Sequence, residues 1–335
     1  MSRAASAPGK AVLCGEYAVL GGAPAIAMAV DRRARVQVEA GESEFHSVRS
    51  PGLHESTLSF RGSANGAIHW LGAAPARADC ALLEYVWRSV RPSVAGGCSL
   101  TLDTREFFDP ATGAKVGLGS SAALAVALTA ALGGKEVPET ELYRIAASAH
   151  RSLQDGKGSG VDIATAVFGG LIGFTVHEPV PRALQWPAGL EFGFFWAGKP
   201  VSTAVKLAQF EGIQRNGGTR ASARKLAAAA AEVYDTWQTG AGGDVLDSLR
   251  TYAAALRQFS VDHDLGVFDA GHRTLSDEAT RRGLVYKPCG AGGGDVGVAF
   301  ALQRSAISDF AERATNYGFE SMDILPDPRG VLYEA

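Results

Sequence analysis

The sequence is poor in cysteine and has no excess of positive charge. Its four cysteines, at positions 14, 80, 98 and 289, are spread over 335 residues without a C-x-x-C spacing. This excludes a disulfide scaffold and predicts a reducing, cytoplasmic location. The 32 lysine and arginine residues are outnumbered by 35 aspartate and glutamate residues. The chain therefore lacks the broad basic surface that nucleic-acid backbones require, and we expect no nucleic-acid partner.

A long uninterrupted apolar run is also missing. The best candidate, residues 11–30, follows Lys10, contains Glu16 and is broken by three glycines and Pro24. It has neither the form of a signal peptide nor the roughly 18 uncharged apolar residues that a membrane-spanning helix needs. We therefore expect a soluble protein without a membrane partner.

Glycine, in contrast, is abundant. The 41 glycines make up about 12% of the chain, against a usual value of about 7%. Such an excess indicates flexible linkers, tight turns, or backbone that approaches a ligand closely. The other bulk properties are ordinary for a globular protein, with 46% hydrophobic and 20% charged residues. The length predicts two domains.

Hydrophobic periodicity predicts a mixed α+β protein. Helices are predicted at 79–90, 120–132, 139–151, 220–239, 245–259 and 305–316, and strands at 11–14, 34–40, 99–103, 167–174, 190–197 and 297–302. The helix that starts at residue 120 begins with two serines, whose hydroxyls are expected to cap it. A proline-containing stretch at 178–187 predicts a domain boundary.

The most informative pattern is Gly117-Leu118-Gly119-Ser120-Ser121-Ala122, where a helix is predicted to start. A helix N-terminus offers unpaired N–H groups and a positive dipole end to an anion, and glycines let the backbone approach phosphate oxygens. A serine at this junction can hydrogen-bond a phosphate and ligate Mg²⁺. The pattern lacks the lysine of a P-loop. Taken alone, it leaves open a capped helix after a tight turn, or a G-x-G-x-x-A dinucleotide-binding turn.

Two further patterns favour phosphate binding. Residues 8–22 place Lys10 just before a short strand that ends in the turn Gly15-Glu16-Tyr17, and such a lysine is a point charge for a phosphate or a developing alkoxide. Residues 287–295 contain four glycines in the five positions 290–294 and lead into a strand. That spacing predicts backbone contact with a ligand rather than a flexible linker. We call residues 8–22, 117–122 and 287–295 the first, second and third motifs.

In this order, the three motifs resemble those of the GHMP kinases, the superfamily named for galactokinase, homoserine kinase, mevalonate kinase and phosphomevalonate kinase. Residues 150–170 are similar to a segment of the phosphomevalonate kinase branch, Ala-His…Gln-Gly-Lys…Gly-Ser-Gly-x-Asp-x-Ala. Residues 196–204 are similar to a Trp-x-Gly-x-x-x-Ser-Thr segment of the same branch. Tyr17 stands where mevalonate kinases usually have histidine, and Asp295 where they usually have glycine.

The resemblance implies a two-domain GHMP kinase fold. A ribosomal-S5-domain-2-like N-terminal domain that binds ATP is expected at 1–187, and a ferredoxin-like C-terminal domain at 188–335. The implied reaction transfers the γ-phosphoryl group of ATP, with Mg²⁺ as cofactor, to the phosphate of (R)-5-phosphomevalonate in the mevalonate route to isoprenoids. The expected partners are ATP and this phosphorylated mevalonate-type acceptor, and the protein is expected to be a monomer or homodimer.

The resemblance also implies roles for single residues. Lys10 and Asp162 match the catalytic pair: Lys10 would neutralise charge, and Asp162 would orient the lysine or the acceptor. Residues Gly117, Leu118, Gly119, Ser120, Ser121 and Ala122 would bind the ATP phosphates, and Ser121 would also ligate Mg²⁺. The acceptor-binding candidates are Lys10, Tyr17, Ser159, Ser202, Thr203, Gly290, Ala291, Gly292 and Asp295. Arg151 stands where mevalonate kinases have a metal-binding glutamate, so a second metal ligand is not assigned, and His150 is expected to be structural.

Three alternatives stay open at this point. Within the family, the acceptor could be mevalonate or another hydroxylated metabolite, in which case Asp162 would act as a general base. A non-catalytic nucleotide-binding protein could keep the same cleft. A dehydrogenase would need an acidic residue about twenty positions after the second motif, at the end of a strand, whereas Glu139 and Glu141 lie in helix-like sequence. The adenine pocket is assigned to residues 59–109 by family analogy alone.

Overall fold

The computed structural model describes residues 2–41, 43–92, 96–154, 156–201, 205–206, 208–210, 212 and 220–334. The predicted acceptor residues Ser202 and Thr203 lie outside these ranges. Among the described residues, no helix is long and apolar enough to cross a membrane.

The first half of the chain builds a large, mostly antiparallel sheet. Its strands are β1 (Arg3–Cys14), β2 (Ala25–Ala40), β3 (His46–Ser50), β4 (His54–Gly62), β5 (Ile68–Trp70), β6 (Cys98–Asp103), β7 (Leu171–Thr175) and β8 (Glu178–Ala183). The order β1-β2-β6-β3-β4-β5 forms the main path, and β7 joins β2 to β8. The β3–β6 pair is parallel. Since β1 and β2 pair over most of their lengths, they fix the first motif against the centre of the sheet.

A second, four-stranded sheet follows. It contains β9 (Glu191–Trp196), β10 (Val285–Pro288), β11 (Val296–Ala301) and β12 (Glu320–Met322) in the antiparallel order β10-β11-β9-β12. The third motif connects β10 to β11, its central neighbour. The motif is therefore a hairpin connection held at both ends by the sheet.

Helices cover the two sheets. The first half contributes α1 (Ala78–Val90), α2 (Ser120–Gly133), α3 (Glu139–Ser152) and α4 (Val161–Phe168), and the second half contributes α5 (Arg220–Thr239), α6 (Gly242–Asp262), α7 (His272–Arg281) and α8 (Arg304–Thr315). Helix α2 is apolar on every face and buried from Ala122 to Leu132, as expected of a central helix. Its one buried hydroxyl beyond the first turn, on Thr129, donates to the Ala125 carbonyl at 2.7 Å.

Most predicted elements are confirmed, but two local predictions are wrong. The apolar run 167–174 is not one strand, because Val167 and Phe168 end α4 and β7 begins at Leu171. A short apolar run on a fully buried helix has no periodicity that separates it from a buried strand. The second error concerns α2, whose N-cap is Gly119 in a left-handed conformation, with no side-chain cap.

The chain changes sheets between β8 and β9, where the domain boundary was expected, but its end returns to the first sheet. There β13 (Leu332–Glu334) pairs with β1. Buried Arg33 donates to Asp327 at 2.5 Å and to the Gly330 carbonyl at 2.6 Å. These buried bonds fix the last residues of the predicted C-terminal domain 188–335 to the N-terminal half. The boundary at 187/188 stays a prediction.

Candidate active site

A cleft opens where the two sheets meet, and all three motifs contribute to it. Its lining includes Lys10, Glu16 and Tyr17 from the first motif, Gly117, Gly119 and Ser121 from the second, and Gly290, Ala291 and Asp295 from the third. Other segments of the chain complete the central part of the wall, with Lys115, Gln154, Gly158, Ser159, Val161, Asp162 and Val201. Residues that are far apart in the sequence thus face one space.

Lys10, in the first motif, lies against both of the other motifs. Its backbone N–H donates to the Leu118 carbonyl at 2.8 Å, which fixes β1 to the second motif. Its side chain passes over Gly119, where a methyl group would lie 3.1 Å from Lys10 Cγ. Its Nζ reaches the third motif, where a methyl group on Gly290 would lie 3.3 Å from it. The ammonium group is therefore placed at the centre of the cleft.

Apart from Ser121, the second motif faces the cleft with its backbone rather than with side chains. Leu118, Ser120 and Ala122 are buried, and their side chains do not line the cleft. Gly119 has a φ of 82° and no capping side chain, so the first N–H groups of α2 keep their capacity to bind an anion. The predicted phosphate contacts of Leu118, Ser120 and Ala122 are possible only through these backbone groups.

Ser121 and Asp162 are joined through a buried histidine. The Ser121 hydroxyl lies 3.0 Å from His150 Nε2. On the other side of the ring, His150 Nδ1 lies 3.6 Å from an oxygen of Asp162, whose second oxygen accepts a 2.9 Å bond from the Ile163 amide. Asp162 occupies the first turn of α4, after Gly160 in a left-handed conformation. His150 is predicted from the sequence to be structural, and the structure places it beside two site residues.

The residues of the third motif divide into two groups, one that lines the cleft and one that packs against the protein. Gly290 and Ala291 line the cleft. Gly292 is buried instead, and a methyl group there would lie 2.5 Å from Val267 Cγ1. Gly293 donates to the Val267 carbonyl at 2.7 Å. Gly292 thus packs tightly against Val267 and does not line the cleft, and its contact with a ligand stays a prediction.

Tyr17 joins the first and third motifs. Its hydroxyl donates to the Ala291 carbonyl at 2.7 Å, and its ring packs on Phe210 and Phe259. Burial raises the pKa of Tyr17 above its usual value, and the nearby Glu16 carboxylate adds to the effect. The acceptor-binding candidate Ser159 lies at the cleft wall, where its hydroxyl accepts a 3.3 Å bond from the Val161 amide.

Asp295 and Lys115 add charge at the same wall. A methyl group on Gly117 would lie 2.6 Å from Asp295 Oδ2, and Asp295 Oδ1 accepts a 3.1 Å bond from the Val201 amide. Burial lowers the pKa of Lys115. Within the described ranges, neither Lys10 nor Lys115 has a hydrogen bond or ion pair at its ammonium group. Lys115 was missed by sequence reasoning, although it lies only two residues before the second motif.

Replacing Asp295 by asparagine should flatten the pH dependence of stability. Burial raises the pKa of Asp295 to about 6, against the opposing effects of the Val201 amide, Lys10 and Lys115. The folded protein thus holds this proton more tightly than the unfolded chain, so the stabilisation is complete below about pH 4 and is lost as the pH rises through about 6. We expect Asp295→Asn to be more stable than wild type near neutral pH.

The gain in free energy of unfolding of Asp295→Asn over wild type should be ~1–2 kcal/mol smaller at about pH 4.5 than at about pH 7.5. The reason is that protonated aspartate and asparagine are both neutral. Urea unfolding of both proteins at the two pH values measures it. An advantage that is equal at both values would contradict the prediction.

The described residues contain no group of three or more His, Cys, Asp or Glu side chains that could hold a metal. A Mg²⁺ ion needs fewer protein ligands when substrate phosphates supply the others. The Ser121 hydroxyl, in the first turn of α2 and in the cleft lining, is a protein oxygen that fits such an ion. Arg151 is exposed and brings no oxygen ligand.

Below the cleft lies a buried charge pair that sequence reasoning missed. Lys287 Nζ lies 2.5 Å from Glu16 Oε1, and both side chains are at most 1% exposed. The Tyr252 hydroxyl donates to the other Glu16 oxygen at 2.7 Å. Burial alone would lower the pKa of Lys287, but the attraction of Glu16 outweighs it and raises that pKa. The pair connects the first motif to β10 and therefore joins the two sheets.

Comparison with known proteins agrees with this architecture. Residues 85–170 match the family model of the GHMP kinases N terminal domain. The chain is 30% identical to the phosphomevalonate kinase of a Streptomyces species, over 96% of this chain and 95% of that protein. It is 35% identical to the mevalonate kinase of Methanothermobacter thermautotrophicus, over 51% of this chain and 50% of that protein.

A solved structure shares the fold. The phosphomevalonate kinase of Streptococcus pneumoniae, in complex with phosphomevalonate and AMPPNP, superposes with a TM-score of 0.76 at 18% identity, over 97% of this chain and 99% of that one. The predicted two-domain α+β fold is confirmed, and the dinucleotide-binding alternative is overturned. The chain belongs to the GHMP kinase family and is, with the other members, a phosphotransferase.

Proposed function

We propose that this protein transfers the γ-phosphoryl group of ATP to the phosphate of (R)-5-phosphomevalonate, which yields 5-diphosphomevalonate and ADP. The Streptomyces phosphomevalonate kinase supports this choice because its similarity extends over both halves of the chain. The similarity to the Methanothermobacter mevalonate kinase is limited to about half.

The observation that carries the proposal is the pair of half-buried lysines, Lys10 and Lys115. The Asp295 carboxylate acts on both ammonium groups but forms an ion pair with neither, so a bound anion would stabilise the two cations further. A phosphorylated acceptor brings about two negative charges to the point of transfer, in addition to those of ATP. A hydroxyl acceptor brings none there. Two lysines in one cleft therefore favour a phosphate as the acceptor group.

ATP is proposed to bind with its phosphates at the N-terminus of α2, within the N-terminal domain 1–187. The unpaired N–H groups at the start of this helix and its dipole favour the negative charge of the phosphates. Ser121 would hold Mg²⁺ through its hydroxyl oxygen, with the ATP phosphates and water as further ligands, and the bound ion would neutralise phosphate charge.

The acceptor is proposed to lie on the other side of Lys10, near Ser159, Tyr17 and the backbone of Gly290 and Ala291. Ser202 and Thr203, which lie outside the described residues, remain acceptor candidates. One acceptor phosphate oxygen forms the new P–O bond as the bond between the γ-phosphorus and ADP breaks. That oxygen is already ionised, so no general base is required. Lys10 would neutralise charge, and Asp162 would orient the lysine or the acceptor.

Turnover of a panel of acceptors tests the function. With ATP and Mg²⁺, we expect rapid ADP release with phosphomevalonate and at least a hundredfold lower kcat/KM with mevalonate, homoserine or galactose. Turnover of mevalonate but not of phosphomevalonate would sink the proposal and leave the mevalonate kinase alternative, which the Methanothermobacter relative favours. No turnover of any acceptor, with ATP bound, would support a non-catalytic protein.

The same assay includes a charge variant and its control. Lys115→Met should raise KM for phosphomevalonate about tenfold or more, because one of two cations at the transfer point is lost. Lys135→Met removes an identical charge from an exposed position outside the cleft and should leave both substrates' KM values unchanged.

A further inference from the structure

We propose that His150 is a positioning residue that couples the nucleotide side of the cleft to the acceptor side. This inference rests on the proposed function, which assigns Ser121 to the nucleotide and Asp162 to the acceptor. The proposal is based on geometry. The Nε2 atom of the imidazole lies 3.0 Å from Ser121 Oγ, and its Nδ1 atom lies 3.6 Å from Asp162 Oδ2.

The three groups come from three different helices. Ser121 is in the first turn of α2, His150 in the last turn of α3, and Asp162 in the first turn of α4. The His150 side chain is 4% exposed, whereas that of Asp162 is 23% exposed and lines the cleft. His150 thus lies behind the wall, where it touches no substrate but contacts two residues that do in the proposed function.

The surroundings of the ring select one tautomer. A neutral imidazole has one N–H donor and one acceptor nitrogen, and a carboxylate can only accept. In the neutral ring, the nearby Asp162 carboxylate favours the tautomer with its proton on Nδ1, and Nε2 then accepts the hydroxyl proton of Ser121. The lone pairs of Ser121 Oγ are then left to face the cleft. In this arrangement Ser121 offers an oxygen ligand to a cation and cannot donate to a phosphate.

This geometry transmits movement between the two sides. The Nδ1–Asp162 separation of 3.6 Å is longer than a hydrogen bond, so a shift of less than 1 Å would form one. Such contacts often tighten only when substrate binds. A nucleotide complex that draws Ser121 forward would move the ring with it, change its distance from Asp162 and so alter the acceptor site. By thermodynamic reciprocity, the acceptor would alter nucleotide affinity by the same factor.

Two matched variants separate the two contacts. The Gln side chain can place a polar atom near the former Nε2 position, and the shorter Asn side chain near the former Nδ1 position. His150→Gln should therefore keep the contact with Ser121 and lose that with Asp162, while His150→Asn should do the reverse. Both remove the coupling, since neither spans the gap.

Calorimetric titration of MgADP, with and without phosphomevalonate, is the main test. In wild type we expect the acceptor to change the MgADP dissociation constant about fivefold or more. In both variants that ratio should fall to about one, with MgADP affinity itself retained in His150→Gln and weakened in His150→Asn. Activity should show kcat lowered about 10–100-fold in both with KM little changed. A ratio as large as in wild type in both variants would overturn the proposal.

The tautomer is tested on the wild-type protein, so this arm does not depend on how the variants fold. Nitrogen-15 NMR of histidine-labelled protein should show a neutral ring protonated on Nδ1, identified as the signal that His150→Asn lacks. Protonation on Nε2 would overturn the assignment to Ser121. If phosphomevalonate neither binds nor reacts, the proposed function fails, while the tautomer and the Ser121 contact still stand or fall by this spectrum.

Discussion

Lys10→Met is expected to lower kcat about a thousandfold, because a fixed positive charge at the point of phosphoryl transfer is lost. Methionine keeps the unbranched stem that packs over Gly119. The Lys10 backbone bonds to Leu118, its stem lies over Gly119 and its ammonium group lies near Gly290, so the charge is already placed in the cleft before the reaction. Steady-state kinetics with ATP and phosphomevalonate measures the effect.

The interpretation depends on a comparison with Asp162→Asn. If Asp162 orients groups around an ionised phosphate, this change should lower kcat about 10–100-fold, whereas loss of a general base costs about 10²–10⁴-fold. Lys135→Met serves as the control for charge alone and should retain full activity. Wild-type kcat in Lys10→Met would contradict the central role of this lysine.

Lys287→Met should have the largest effect on stability. It leaves the Glu16 carboxylate buried beside Tyr252 without its cation, and loss of one partner of a buried ion pair costs about 3–5 kcal/mol. With an unfolding entropy of about 2.1 cal/mol/K per residue, each kcal/mol shifts the midpoint of this 335-residue chain by ~1.4 °C, so the midpoint should fall by ~4–7 °C. Differential scanning calorimetry and urea unfolding measure the loss.

Two further variants test the cause. Adding Glu16→Gln to Lys287→Met removes the unpaired charge, so the double variant should recover about half of the lost free energy of unfolding. Breaking the exposed pair Arg250–Asp247 with Arg250→Met should cost less than about 1 kcal/mol. A double variant less stable than Lys287→Met alone would show that packing, and not the unpaired charge, is the main term.

Much of the fold could be predicted because its signals are local. The helices at 79–90, 120–132 and 220–239 differ from the observed α1, α2 and α5 by at most one residue at each end. Apolar spacing and alanine content decide these elements within one stretch of chain. Strands β3, β4 and β5 were not predicted. They are short and rich in polar residues, and pairing with neighbours rather than their own pattern makes them strands.

The motifs were also visible in the sequence, since glycines, serines and a lysine at fixed spacing indicate phosphate binding wherever they occur. The structural role of each single glycine was not visible in the sequence. Gly117 makes room for Asp295, a residue 178 positions later, and Gly292 makes room for Val267. Nothing in the local sequence separates these packing roles from contact with a ligand.

By itself, then, the sequence determined the α+β class, most helices and the three motifs of a GHMP kinase. Only the tertiary structure decided which side chains meet: Glu16 with Lys287, Ser121 with His150 and Asp162, and Lys115 with the cleft. The physical reason is that helix formation and capping depend on neighbours along the chain. Burial of a charge, and the partner that makes it tolerable, depend on how distant segments pack.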